Sequence, residues 1–330
     1  MSNQVMNIIK RANCEKPERY NILTFPTHER YDSQLAKTGH NFYAFNGSDM
    51  KKWNSWFAEI PTNYYMFPEN TIYQGIDFDF ILSQSKFGQF QIASQMNQQL
   101  RLPIVSLEHT LPIPNLYSPD QLSAMRSMSG DINVFISDFS KSDWGVPGMC
   151  EVIHHSIDSS LFKPLDLKRE PYVLSVANDF VNRDYCLNFY GWQRVTEGLQ
   201  TKLVGETEGL SKAAESTEKL VEEYNTCQIF FNSSTLSPVP TSLLEAMSCG
   251  CAVVSTATCM IPEVIENGVN GFISNDEKEL RSYLDQLMSD EGLRDRLGTA
   301  ARQTVVDDFS EERFISEWNK VFDSAYEELN

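Results

Sequence analysis

Short apolar runs alternate along this chain with stretches whose apolar residues recur every three or four positions. The runs at 20–25 (YNILTF), 41–45, 79–82 (DFIL), 103–109, 131–137 (DINVFIS), 172–176 (YVLSV), 201–204, 227–231 (CQIFF) and 251–254 have the length and flanking residues of strands. Residues 33–38, 51–58, 91–100, 138–144, a segment through Trp192, 211–223, 241–248, 277–288, 291–305 and 309–329 read instead as helices. This alternation predicts an α/β protein built on parallel sheets. Parallel strands are covered on both faces, which accounts for runs that are apolar throughout.

Two of the helical stretches carry unusual aromatic content. In 51–58, Trp53, Trp56 and Phe57 predict an amphipathic helix packed on the sheet, with a sugar-stacking platform as the alternative. In the last helix, Phe314, Trp318 and Phe322 stand at i, i+4 and i+8 and form one apolar stripe. The polar start of the chain, with Lys10, Arg11, Lys16 and Arg19, reads either as a solvated arm or as a helix laid on the body.

The pattern is densest between residues 233 and 273. A polar, Pro-punctuated loop leads into the helix 241–248, with Leu243, Leu244 and Met247 on one side. Gly250 stops that helix, a buried strand follows, and Pro262–Glu263 opens another turn ahead of Asn267–Gly268 and Asn270–Gly271. A loop-to-helix junction beside the carboxyl ends of parallel strands is where open α/β sheets bind ligands. The first turn of such a helix presents backbone N–H groups and the positive end of a dipole to a phosphate. Glu245, one turn in, is then placed to accept hydrogen bonds from a ribose. The same residues also spell a capping box, Ser242 to Glu245, which needs no ligand, and spacing alone favours that plainer reading.

Length and composition set bounds. At 330 residues the chain suits two domains, and 41% hydrophobic residues suffice for packed cores. No run is long enough to cross a bilayer and the first residues lack a signal-peptide core, so a cytoplasmic protein is expected. Seven cysteines without paired spacing agree with a reduced compartment. Cys249 and Cys251 flank a helix stop and read as buried small side chains rather than metal ligands. Net charge is −18, yet residues 1–110 carry ten Lys/Arg and ten Asp/Glu, so the acidic excess lies in 111–330. That balance argues against nucleic acid as a partner and leaves the first third as the face for a charged acceptor.

The run PTSLLEAMSCGCAVVS (240–255), followed by PEVIENGVNGF (262–272), resembles the donor-binding signature of retaining GT-B glycosyltransferases of family four, the group 1 type. The resemblance implies two Rossmann-like doubly wound domains facing across a cleft: residues 1–158 binding the acceptor and 159–308 binding the donor. The last helix, within 309–330, is expected to return to the first domain. From about residue 100 onward the chain follows the family pattern, with the run 151–164 resembling its interdomain hinge. His154 and His155 there replace Pro-Asn, and no third zinc ligand is spaced nearby.

The same resemblance implies a nucleotide-diphosphate sugar, UDP- or GDP-linked, as donor substrate, with no cofactor and no metal. Donor contacts fall to Asn178, Gly205, Val239, Pro240, Thr241, Ser242, Leu243 and Glu245. His109, at the end of a strand, matches the family His beside the donor sugar, and Glu108 before it is placed to alter its charge state. His28 and Arg30, after the first strand, are candidates to face the cleft, with a plain cap of the next helix as the alternative for His28. Arg183 stands where the family has a phosphate-binding Lys. Two departures bear on activity: Asn178 replaces the family's Arg, and Ser237 replaces the first of its paired Glu residues, which holds the transferred sugar. The expected activity is transfer to an acceptor hydroxyl with retention. The alternatives are a lapsed homologue that binds a nucleotide-sugar or a partner protein, a glycosyltransferase of modified DNA bases, and a GT-B phosphorylase or epimerase.

Overall fold

The computed structural model describes residues 16–73, 75–113 and 116–327. The expectations for Lys10, Arg11 and the rest of 1–15 lie outside the described residues. Residues His155–Glu311 form one compact unit, and the described residues on either side of them form another.

In the first unit, strands β1 (Asn21–Thr24), β2 (Asn41–Ala44), β3 (Tyr64–Met66), β4 (Phe80–Ser83), β5 (Ile104–Glu108), β6 (Ile132–Phe135) and β7 (Met149–Val152) make one sheet in the order β3-β2-β1-β4-β5-β6-β7. Every pairing is parallel. Helices α1 (Glu29–Ala36), α2 (Gln89–Leu100), α3 (Pro119–Arg126) and α4 (Asp138–Trp144) connect the strands. This is the doubly wound dinucleotide-fold order with one strand added, and its direction reverses between β1 and β4. Central strands are buried along their whole length, as at Phe80, Ile81 and Leu82. That is why β4 reads as a continuous apolar run.

The second unit opens with β8 (Glu170–Val176), then α5 (Asp184–Leu187), α6 (Phe189–Thr196), β9 (Thr201–Val204), α7 (Thr217–Thr226), β10 (Cys227–Asn232), α8 (Thr241–Ser248), β11 (Ala252–Ser255), α9 (Ile261–Val264) and β12 (Phe272–Ile273). Helices α10 (Glu277–Ser289) and α11 (Glu291–Asp308) complete it. Its sheet order, β12-β11-β10-β8-β9, is parallel throughout and reverses between β8 and β10. Successive residues of one strand serve opposite layers. Leu174, Phe230 and Val253 pack with Leu244 and Met247 of α8 and Ala301 of α11. Val173, Ile229, Phe231 and Val254 pack with Trp192 of α6 and Leu284 of α10.

The stripe on the last helix, α12 (Glu311–Glu327), is fully buried at Phe314, Trp318 and Phe322. Those rings meet residues of the first unit. Trp318 donates to the Tyr31 hydroxyl (3.1 Å), and Phe322 stacks on Phe80 with centroids 5.2 Å apart. No helix among the described residues is long and apolar enough to cross a membrane.

The expected helix over 51–58 does not form. Lys51 bonds the Thr27 carbonyl (2.8 Å) and Glu29 (2.7 Å), and the Asn54 amide donates to Glu29 (3.0 Å). These side-chain bonds hold the segment as turns. Its aromatics do not share a face either: Trp53 packs on Tyr64, whereas Trp56 is 60% exposed. Residues 211–216 are likewise not helical, because Ser216 caps α7 and the helix starts at Thr217. The pattern also left β3, α3 and β7 unread.

Candidate functional site

The loops at the carboxyl edge of the second sheet, around its β8/β10 reversal, hold the predicted donor residues. After β8 comes the sequence Ala177-Asn178-Asp179, with Asp179 in a left-handed conformation (φ 52). After β9 comes Gly205, at φ 123, where a β-carbon would overlap the Ala177 carbonyl oxygen. Glycine is therefore a steric requirement at 205. With the two backbones this close, their loops are laced together. Asn178 Oδ1 accepts from the Glu206 amide (2.8 Å), the Asp179 amide donates to the Glu206 carbonyl (2.6 Å), and the Phe180 amide donates to Thr207 Oγ1 (3.1 Å).

The Asn178 oxygen is thus a brace between the two loops. Arg183 is exposed, and its guanidinium makes a long contact from Nη1 to the Asn178 carbonyl (3.5 Å). The loop after β10 hangs on the last two residues of α5: Ser233 Oγ donates to the Leu187 carbonyl (2.8 Å), and the Thr235 amide donates to that of Cys186 (2.8 Å). Ser237, Val239 and Pro240 follow, all half-buried.

Helix α8 begins at Thr241 with Pro240 in the N-cap position and no side-chain cap. The capping box that spacing favoured is absent, because Ser242 lies inside the first turn rather than at the cap. Its hydroxyl faces the Val176 carbonyl (3.4 Å). Glu245 is buried, and its Oε2 accepts a hydrogen bond from the Tyr224 hydroxyl (2.8 Å). Burial, reinforced by the Glu245 charge, pushes the Tyr224 hydroxyl well above the usual tyrosine range, so it stays a donor.

Leu243 faces the core. At the far end of α8, Arg169 donates to the carbonyls of Tyr224 (3.0 Å), Cys227 (2.7 Å), Cys249 (3.2 Å) and Gly250 (3.2 Å). One guanidinium thereby ties the ends of α7 and α8 together. Cys249 and Cys251 are fully buried beside it.

His109 belongs to the first unit and follows β5. The Glu108 carboxylate before it accepts from the Thr110 amide (2.8 Å), the Thr110 hydroxyl (2.7 Å) and the Lys86 amide (3.0 Å). Burial raises the Glu108 pKa. His109 is 8% exposed, with Nε2 lying 3.4 Å from Gln84 Oε1. The rings of Tyr31 (4.7 Å, 86°) and His28 (4.8 Å, 75°) meet it edge to face. His28 takes the N-cap position of α1 without a side-chain cap bond, and Arg30 is exposed.

The predicted residues therefore fall into two groups: Asn178, Arg183, Gly205, Ser237 and 239–245 in the second unit, and His109 in the first. Sequence reasoning missed Tyr224, Gln84 and Asp32. Gln84 had a readable signal, a polar residue directly after a buried strand; Tyr224 had none.

Comparisons with known proteins bear on the fold and on residues 211–304. Residues 211–304 match the family model described as glycosyl transferases group 1. Over 82 residues the chain is 34% identical to N-acetyl-alpha-D-glucosaminyl L-malate synthase of Bacillus anthracis, covering 24% of this chain and 22% of that protein. HepE of Anabaena, solved in complex with UDP-glucose, superposes with a TM-score of 0.74 at 14% identity, over 93% of this chain and 100% of that one. Sucrose-phosphate synthase of Thermosynechococcus elongatus gives 0.75 at 13% identity, over 93% and 99%.

The fold is accordingly that of the GT-B class, two Rossmann-like units each built on a parallel sheet. Within it, residues 211–304, which include α8 and Glu245, match the model of group 1 glycosyl transferases, over the stretch that carries the sequence resemblance.

Proposed function

We propose that this protein is a glycosyltransferase that moves a sugar from a UDP- or GDP-sugar to an acceptor hydroxyl, with retention and without a metal. One observation carries the reading. The group 1 segment begins at the loop after β9 and includes the uncapped start of α8, so family match and phosphate-ready backbone coincide.

In this reading the bond between the anomeric carbon and the phosphate oxygen breaks, and its electron pair leaves with the diphosphate. The new bond to the acceptor oxygen forms on the same face, and the acceptor's proton passes to the departing phosphate. Charge grows on the diphosphate as the sugar becomes oxocarbenium-like, so the protein's part is electrostatic. Arg183 and the backbone N–H groups of Thr241 and Ser242, in the first turn of α8, meet that charge. Glu245, held by Tyr224, accepts from the ribose hydroxyls. His109 and the Ser237 loop are assigned to the transferred sugar. Residues 1–158 are assigned to the acceptor, a glycan or lipid-linked hydroxyl; the acidic charge of −18 disfavours DNA.

The test is incubation of the purified protein with a panel of UDP- and GDP-sugars. Proton NMR then follows sugar release or transfer and reads the anomeric configuration of the product. Turnover with a retained anomer supports the proposal, and an inverted product sinks its stereochemistry. A second reading, a lapsed homologue that only binds nucleotide-sugar, draws on Ser237 and on Asn178, whose oxygen braces a loop. A donor that raises the melting temperature, with no turnover on any acceptor, would favour it.

A further inference from the structure

The carboxyl edge of the first sheet, at its own β1/β4 reversal, carries a buried polar chain that the reading above does not use. Gln84 follows β4 directly and is fully buried. Its Nε2 lies 2.6 Å from Asp32 Oδ1 and 3.4 Å from the Phe25 carbonyl, and both of those atoms only accept when Asp32 is ionised. Two acceptors on one side of the amide fix its orientation, so its Oε1 must be the atom facing His109 Nε2, 3.4 Å away. An amide oxygen can only accept, so His109 Nε2 must carry the proton.

Asp32 is itself held in place. It is 1% exposed, and its Oδ2 accepts from the amides of Thr27 (3.1 Å) and His28 (3.2 Å) at the start of α1. The edge-to-face rings of Tyr31 and His28 then limit the tilt of the imidazole.

We infer that Asp32 and Gln84 are positioning residues that lock His109 as its Nε2-protonated tautomer with a set ring plane. The chemical consequence is specific: in a neutral His109 the acceptor nitrogen is Nδ1, and the ring cannot change tautomer without turning the Gln84 amide. The role of that ring toward a donor sugar rests on the proposed transferase function; the lock itself does not.

Asp32→Asn tests the lock by inverting its logic. Two backbone N–H groups require an oxygen at the inner position of residue 32, so the new amide must direct its NH2 toward Gln84. Gln84 then turns its oxygen to residue 32 and its NH2 to His109, whose Nε2 becomes an acceptor. Nitrogen-15 NMR of histidine-labelled protein, with His109 assigned through His109→Gln, reads the tautomer directly. The wild type should show the Nε2–H form, and Asp32→Asn should move it toward Nδ1–H.

Gln84→Met, which removes the amide at similar volume, should give a mixture. It also serves if Asp32→Asn fails to fold. A wild-type Nδ1–H form, or an unchanged tautomer in every folded variant, would overturn the lock. With a turned-over donor in hand, kcat of Asp32→Asn should fall by about 10–100-fold with a smaller change in donor KM. An unmoved kcat beside a moved tautomer would overturn the positioning role. A wild type that turns over no nucleotide-sugar sinks the transferase reading alone, since the NMR result needs no substrate.

Discussion

Tyr224, in the last turn of α7, donates a 2.8 Å hydrogen bond to the buried carboxylate of Glu245 on α8. In the proposed donor site, the phenol fixes one oxygen of the carboxylate assigned to the ribose. Tyr224→Phe keeps the ring and removes only the bond. Hydrogen bonds to charged groups contribute about 1.5–3 kcal/mol, so nucleotide affinity should weaken roughly tenfold or more. Glu245→Ala should abolish the thermal shift given by the best nucleotide. Titration calorimetry and melting curves check both; an unchanged shift in Glu245→Ala would mean the ribose sits elsewhere.

Arg183 gives a contrasting case. Its side chain is exposed and reaches the Asn178 carbonyl only at 3.5 Å, while its backbone bonds do not need the guanidinium, so the fold does not depend on that side chain. Arg183→Ala should change unfolding free energy by no more than about 0.5 kcal/mol. If it faces the departing diphosphate, kcat/KM should drop by about 10²–10³. Arg183→Lys should recover part of this, because a lysine keeps the charge but not the paired donors. Equal kinetics for wild type and Arg183→Ala would remove this residue from the mechanism.

Gly205 should be the least replaceable glycine of the donor loops. Alanine there meets both an unfavourable φ of 123 and the Ala177 carbonyl, whereas Gly209, at φ 70, has nothing within 4 Å of an added β-carbon. Gly209→Ala should cost only the left-handed backbone term, about 1–2 kcal/mol. Gly205→Ala should cost clearly more, and it should also weaken nucleotide binding by parting the loops that Asn178 joins. Urea unfolding of the two variants gives the comparison, and equal midpoints would refute the steric argument.

How far the sequence foretold this molecule depended on whether a signal was local. The helix Thr241–Ser248 and the strand Thr201–Val204 match their predicted bounds, because apolar period, Gly250 and Gly205 mark them from within. The segment 51–58 misled, because its aromatic spacing mimics a helix while Glu29, some 25 residues earlier, captures its backbone. The apparent capping box misled by register, since Ser242 lies two positions past the cap. Tyr224 and Asp32 were illegible because their importance is a tertiary bond to a residue far along the chain. Only the fold brings Tyr224 to Glu245, or Asp32 through Gln84 to His109.

Asp32 should leave its own mark on stability against pH. Burial pushes its pKa up from 3.8 to about 6, against the hydrogen bonds from Gln84, Thr27 and His28 that favour the charged form; Glu29, on the same helix, adds to the rise. The Asp32 charge also reaches the buried hydroxyls of Tyr31 and Tyr64. A carboxyl with a raised native pKa holds its proton in the fold after the unfolded chain has released it. Its contribution is therefore fully present below pH 3.8, declines as pH rises through the window to about 6, and is gone above it. A shift of about two units corresponds to roughly 3 kcal/mol. Asp32→Asn cannot titrate at position 32, and groups that do not feel the Asp32 charge cancel when the two proteins are compared. Urea unfolding from about pH 4 to pH 7 should thus show the wild type losing most of that, about 2–2.5 kcal/mol, relative to Asp32→Asn as pH rises. A difference that stays flat across that range would mean that Asp32 is not the proton-binding group its burial implies.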